Sequence, residues 1–387
     1  MDLSFPPEVL SFAEEVRGFV RAQLPAATRE RILRGQMPGH DEHIAWQRTL
    51  LKRGWATPAW PVEYGGQNWT VLQHHMFNEV MTEEGAPAPL PFGQNMLAPI
   101  IIHVGTKAQK EHYLPRIASL EHWFCQGYSE PGAGSDLASL KTTAVREGDH
   151  WVINGQKTWT SGAHYANMMF ALLRTDPKAE KPQAGISLFV FSMATHGITV
   201  RPIITLNGEH TVNEVFFDNV RVPADSLIGE VNKGWTYGKM LLGHERAIIG
   251  GTGQSRRLLR RLKEMTREVS ANGMPASQAE RLQLKIVEAE IELRSLEMLS
   301  LRMIAAEGTN SPGTEANMIK IKGSELQQRL MELILEVTGP AALARGDNME
   351  SPATLAAPSY LMGRVLSIYG GSNEIQKNII AQMILGL

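Results

Sequence analysis

The chain runs to 387 residues, with 38 Lys plus Arg against 40 Asp plus Glu and one cysteine, Cys125. That length exceeds one compact core of ordinary size, so two or three packed regions are expected, and the near-balanced charge leaves no basic field to draw nucleic acid or an anionic membrane. A lone cysteine closes no intramolecular disulfide, which excludes a secreted cross-linked scaffold and fits a reducing compartment.

The amino terminus opens with Asp2 and no basic n-region, so no signal peptide is expected. From Glu8 to Val20 the apolar residues Val9, Phe12, Ala13, Val16, Phe19 and Val20 recur at helical spacing, as do Phe77, Val80 and Met81. Between them Pro58, Pro61, Gly65 and Gly66 punctuate a loop. The apolar runs from Leu97 to Ile102 and from Met168 to Leu173 are far shorter than the ~20 residues that span a bilayer. No membrane insertion is expected, and a cytoplasmic protein is. The middle third changes to β-branched and aromatic runs. Trp151 to Ile153 and Gln156 to Trp159 read as two strands joined by a hairpin turn at Asn154-Gly155, and Ile186 to Phe191, Ile198 to Val200 and Glu214 to Phe217 add further strands. From Trp235 the pattern is helical again, with a charged, Leu-rich span through Met303, another from Glu315 to Glu336, and a last from Asn373 onward. Thr175 to Ala184 and Asp347 to Pro358 read as loops. No repeat of fixed period is present.

Several segments carry candidate chemistry. Gly132, Ala133 and Gly134 lie beside Ser129 and Ser135, a backbone able to approach a flat ligand, although alone it reads as a glycine-rich connection into a strand. Trp159 alone reads as a core aromatic. Ser372, after Gly370-Gly371, is a helix N-cap whose free amides suit an anion, or simply a cap without a ligand. Glu245 shares a helix face with Leu241, Ile248 and Ile249; burial there would raise its pKa and make it a stronger base, whereas pairing with Arg246 or solvation would not. His103, His112, His150, His164, His196, His210 and His244 lack metal-ligand spacing, and no metal site is expected. Arg256-Arg257-Leu-Leu-Arg260-Arg261 reads as a solvated helix face, with phosphate binding the minority reading.

Taken together, Tyr128-Ser-Glu-Pro-Gly-Ala-Gly-Ser-Asp136, Lys141-Thr-Thr-Ala144, Trp151 to Ser161, Asn213 to Pro223 and Tyr369-Gly-Gly-Ser-Asn-Glu-Ile-Gln376 resemble the FAD-dependent acyl-CoA dehydrogenase family over nearly the whole chain. The resemblance implies an α+β fold: a helical N-terminal domain (1–123), a central β-barrel-like domain (124–234) and a C-terminal four-helix-bundle-like domain (235–387). It implies FAD between the domains, in contact with Gln126, Tyr128, Ser129, Ser135, Trp159, Thr160, Ser161, Ser372 and Glu374, and an acyl-CoA near Ser135, Arg246, Tyr369 and Gly370. The implied reaction is α,β-dehydrogenation of the thioester, with flavin N5 as hydride acceptor and an electron-transferring flavoprotein as the next carrier. Gly370 stands where many members carry a glutamate base; a bacterial subgroup pairs glycine there with a base at the helix position of Glu245. The Arg-x-x-Phe-Gly and Gln-x-x-Gly-Gly signatures for the neighbouring subunit's FAD are absent, the chain reading Thr266 to Met274 without the first and Glu336-Val-Thr-Gly-Pro340 in place of the second. A homo-oligomer or a heterotetramer with a related subunit is therefore expected. The alternatives are a flavin monooxygenase or oxidase of the same fold, a poorly catalytic partner subunit, or an acyl-CoA binding module.

Overall fold

A computed structural model describes residues 5–88, 92–240, 251–306, 315–343 and 352–387. The chain divides into two compact units. One gathers the amino-terminal helices up to Thr49, the segment Gln67–Ala88 and the carboxyl-terminal helices; the other holds Leu50–Gly66 and the helices and strands that follow to residue 240.

In the first unit, helical spacing produces α1 (Pro7–Gln23), which buries Val9, Phe12, Ala13, Val16 and Val20; α2 (Ala26–Leu33) and α3 (His40–Arg53) follow, and α4 (Val71–Glu83) buries Phe77, Val80 and Met81. Thr70 and Gln73 close a capping box at the start of α4. The charged span predicted to run through Met303 is two helices, Thr252–Ala271 and Ala276–Ala306, because Gly273 adopts φ +99° and Pro275 follows it. They pack with the Glu315–Thr338 helix through Leu258, Leu262, Ile286, Leu293, Leu326 and Leu330. The stretch expected as a loop near Pro358 is helical from Pro352 to Gly363, with Leu355 and Ala356 buried; residues 347–351 lie outside the described residues.

The arginine run is not a solvated face. Arg256 spans Glu79 on α4 (2.9 Å) and Glu297 (2.5 Å), Arg260 donates to the Glu83 carbonyl (2.8 Å), and Arg261 is 8% exposed. Acids on two neighbouring helices neutralise Arg256 and Arg260, which the spacing of one helix could not reveal.

In the second unit, a π-helical turn (Phe92–Leu97) leads into α5 (Ala98–Val104) and α6 (Lys107–Ala118). An eight-stranded sheet follows: β1 (Phe124–Gly127), β2 (Thr143–Glu147), β3 (His150–Ser161), β4 (Met168–Arg174), β5 (Ile186–Ser192), β6 (Ile198–Ile204), β7 (His210–Pro223) and β8 (Leu227–Ile228). The order is β6-β7-β3-β2-β4-β5-β8, with β1 parallel to β4. Strand β4 is buried on both faces: Phe170 and Leu172 join the core formed with α5 and α6, while Met169, Ala171 and Leu173 join a second core with Ile153, Phe189 and Val215.

Asn154-Gly155 is not a hairpin turn. Strand β3 runs unbroken through it, with a register shift against β7 between Ile153 and Gly155, and the turn of the β2–β3 hairpin is Gly148-Asp149. Gly155 sits at φ +142°, where an added Cβ would lie 2.7 Å from the Thr142 Cα. Gly155→Ala therefore combines backbone strain with a clash and is expected to lower unfolding free energy by about 2–4 kcal/mol. Gly148→Ala, at φ +63° with nothing within 4 Å of the new Cβ, should cost only about 1 kcal/mol. Urea unfolding of the two variants measures the difference.

Candidate functional site

The glycine-rich loop is held to β3 by a buried ion pair. Lys157 is fully buried, and its Nζ donates to Glu130 Oε1 (2.7 Å), the Leu172 carbonyl (2.8 Å) and the Tyr128 carbonyl (3.1 Å). The Glu130 carboxylate also accepts from the Lys141 and Thr142 amides (2.6 and 3.0 Å). Its loop folds back on itself through paired backbone bonds between Glu130 and Ala133, and Thr158 N donates to the Ser129 carbonyl (2.9 Å). Burial pushes the Lys157 ammonium down to about 8 against the pull of Glu130, so the lysine stays largely charged at neutral pH. Burial also pushes the Glu130 carboxyl up, but the charge and hydrogen bond of Lys157, then Thr142 and Lys141, outweigh it and hold the group below its ordinary value. Neither residue stands out from the sequence as a site residue; a lysine inside an apolar strand was the available signal.

This anchor displays the loop and the end of β3 together. Gly132 and Gly134 have ordinary φ values, and a Cβ on either would meet nothing within 4 Å, so neither packing nor backbone conformation requires glycine there. An open, side-chain-free backbone is what a flat ligand can approach. Trp159, expected on its own as a core aromatic, is 62% exposed and adopts φ +56°, inside a second register shift of β3 between Lys157 and Thr160. A bulky residue in the left-handed region and facing outward is held there at a cost, as happens where a side chain is aimed at a ligand. Thr160 beside it is 1% exposed, Ser161 and Ser129 are partly buried, and Ser135 is exposed. The buried atoms Gln126 Nε2 and Thr160 Oγ1 have no hydrogen-bond partner among the described residues. Tyr128 is 6% exposed and packs edge-on to Phe170.

The remaining predicted positions belong to the first unit. Ser372 caps the Asn373–Ile380 helix, its Oγ accepting from Ile375 N (3.4 Å). Gly370 and Gly371 adopt φ +66° and +82°, Tyr369 is 42% exposed, and Glu374 is exposed. The helix is docked by polar residues. Asn373 accepts from Lys320 Nζ (2.9 Å) and Ser324 Oγ (3.2 Å), Gln376 donates to the carbonyls of Gly370 and Gly371, and Met383 is 70% exposed. Glu245 and Arg246, with Leu241, Ile248 and Ile249, lie outside the described residues.

Family models for the acyl-CoA dehydrogenase N-terminal, middle and C-terminal domains match residues 6–121, 125–220 and 232–385. The chain belongs to the acyl-CoA dehydrogenase family. It is an oxidoreductase, and its helical, β-sheet and helical regions follow the family's order. Acyl-CoA dehydrogenase IpdE1 of Mycobacterium tuberculosis is 35% identical over 98% of both chains, and FadE26 of the same organism is 32% identical over 100% of this chain and 99% of its own. Among solved structures, the Tcur3481-Tcur3483 steroid ACAD superposes with a TM-score of 0.88 at 30% identity, covering 100% of this chain and 99% of that one. The ChsE4-ChsE5 complex of Mycobacterium tuberculosis gives 0.83 at 32% identity, with the same coverage. Members of the family bind FAD. The orphaned Gln126 and Thr160 atoms, the open glycines and the outward Trp159 fit an isoalloxazine in this dehydrogenase.

Replacing Lys157 by Met strands a buried carboxylate and should cost about 3–5 kcal/mol. Because the folded Glu130 carboxyl titrates below its unfolded value, its contribution is complete above the ordinary carboxylate range and is lost as pH falls through the folded value. Unfolding between about pH 6 and pH 3 should therefore weaken the wild type more steeply than Glu130→Gln, whose baseline stability is lower but flatter with pH. Equal slopes would remove the anchor role.

Proposed function

We propose that the chain catalyses α,β-dehydrogenation of an acyl-CoA thioester to the trans-2-enoyl-CoA, with non-covalent FAD as cofactor. The observation that carries this reading is the strained, outward Trp159 on a bulge beside the unpartnered donors of Gln126 and Thr160. FAD, when bound, supplies the two-electron acceptor for the β hydride. Trp159 and Ser161 would hold the ring, Gln126, Tyr128, Ser129 and Thr160 would satisfy its polar edge, and Ser372 and Glu374 would contact it from the C-terminal helix. Glu245 removes the α proton, the Gly370 amide polarises the thioester carbonyl, and Ser135, Arg246 and Tyr369 meet the CoA ester. A carboxylate at position 370 itself is disfavoured by φ +66°, which supports a base placed elsewhere.

Two further features support the choice of partner. Leu284 and Ile291 on the Ala276–Ala306 helix are 66% and 61% exposed, and Leu385 is 63% exposed, apolar surface suited to another subunit. One similar structure is a steroid ACAD and another is the ChsE4-ChsE5 complex. We therefore take a homo-oligomer or a heterotetramer with a related subunit as the working assembly, polycyclic side-chain CoA esters as the first substrates to test, and an electron-transferring flavoprotein as acceptor.

Anaerobic titration of the yellow protein with CoA esters, from short straight chains to ring-bearing ones, should bleach the flavin with one class. No bleaching by any, alone or with a partner subunit, would refute the activity. Glu245→Gln should retain FAD and ester binding while bleaching slows by about 10²–10⁴-fold; near-normal bleaching would leave the base unassigned. Light scattering should find an oligomer at micromolar concentration, and a flavin-loaded monomer would contradict the assembly.

A further inference from the structure

We infer that Asn213 is the positioning residue of the Trp159 bulge, its carboxamide locked in one orientation by His164 and His210. The inference rests on the reading of Trp159 as facing the flavin. At the bulge Lys157 pairs with Val215 and Thr160 with Asn213, so Thr158 and Trp159 together oppose only Glu214. The backbone is pinned on both sides of Trp159. Before it, Thr158 N donates to the Ser129 carbonyl (2.9 Å); after it, the Thr160 carbonyl accepts from Asn213 Nδ2 (3.0 Å).

Asn213 is fully buried, and each of its side-chain hydrogen bonds has a forced direction. A carbonyl oxygen only accepts, so Nδ2 must face Thr160, and the amide cannot flip. The second Nδ2 hydrogen then points to His164 Nδ1 (3.0 Å), which must be unprotonated, and Oδ1 accepts from His210 Nε2 (2.7 Å). The two imidazoles stack with centroids 3.9 Å apart and planes 27° from parallel. Burial first, and the adjacent His210 second, push the His164 imidazole below its ordinary value, which suits the neutral form this pattern needs. An aspartate at 213 would offer no proton to Thr160 O. A leucine would offer nothing to any of the three partners. The bulge thus owes its geometry to a side chain on β7, separated in sequence by β4, β5 and β6 from the tryptophan it aims.

Purified full-length protein carrying Asn213→Leu or Asn213→Asp tests this by amide hydrogen exchange over residues 157–165. Exchange there should rise about tenfold while β4 and β5 keep wild-type rates, and FAD affinity should fall by about tenfold. In a Trp159→Phe background Asn213→Leu should cause no further loss of FAD affinity, because both substitutions act through one ring. His210→Phe keeps a ring on His164 and removes one hydrogen bond. It should give a smaller rise in the same peptide, and it serves if the Asn213 variants do not fold. Wild-type exchange over 157–165 in every folded variant overturns the inference, as does a rise spread evenly through all strands. Faster exchange there with unchanged FAD affinity upholds Asn213 as the brace and instead overturns the placing of flavin against Trp159.

Discussion

The pair between Lys157 and Glu130 organises the second unit, because a charge without water must be met in full by the protein around it. Lys157 Nζ spends its donors on a carboxylate and two carbonyls, and Glu130 spends its acceptors on that ammonium and two amides. Those partners come from β3, β4, the end of β1 and the connection into β2, so satisfying two side chains fixes four pieces of backbone. The glycine-rich loop needs such an anchor. Ala133 adds only a methyl group to the apolar core, and the freedom that opens the loop's backbone to a ligand would otherwise leave it undefined.

The strain at Trp159 follows from this arrangement. Lys157 must point inward to reach Glu130 and Thr160 must return to its pairing with Asn213, which leaves Trp159 to absorb the extra residue with a positive φ and an outward ring. Buried polar groups on both sides hold the irregularity, and the sheet behind them is an apolar double core that tolerates little movement. A rigid sheet with a local distortion at Trp159 suits a cofactor that must be held in one plane.

The first unit solves a different problem with similar means. Glu79 accepts from Thr252 Oγ1 and Gly253 N at the start of the Thr252–Ala271 helix while pairing with Arg256, so one carboxylate both caps that helix and neutralises its arginine. Glu84 collects Arg17, Arg21 and Arg29 in the same way. Apart from these contacts, Leu284, Ile291 and Met383 in the same unit stay exposed.

The sequence by itself determined most of the architecture and the family. Helical spacing located α1 and α4, β-branched and aromatic runs located β5, β6 and β7, and the motifs around Ser129, Trp159 and Ser372 were legible because small residues, an N-cap and an Asn-Gly pair leave local marks. Only the tertiary structure decided what those marks meant. Asn154-Gly155 is a turn signal that became a bulge, since Thr142 passes too close for any Cβ at Gly155. Within the arginine run Arg256 and Arg260 are paired cations because acids arrive from other helices. Trp159 is outward, and Asn213, His164 and His210 form one group, because strands distant in sequence are placed side by side in a register that no local pattern encodes. Spacing along the chain records what each segment prefers alone, while burial and pairing across segments decide which preference survives.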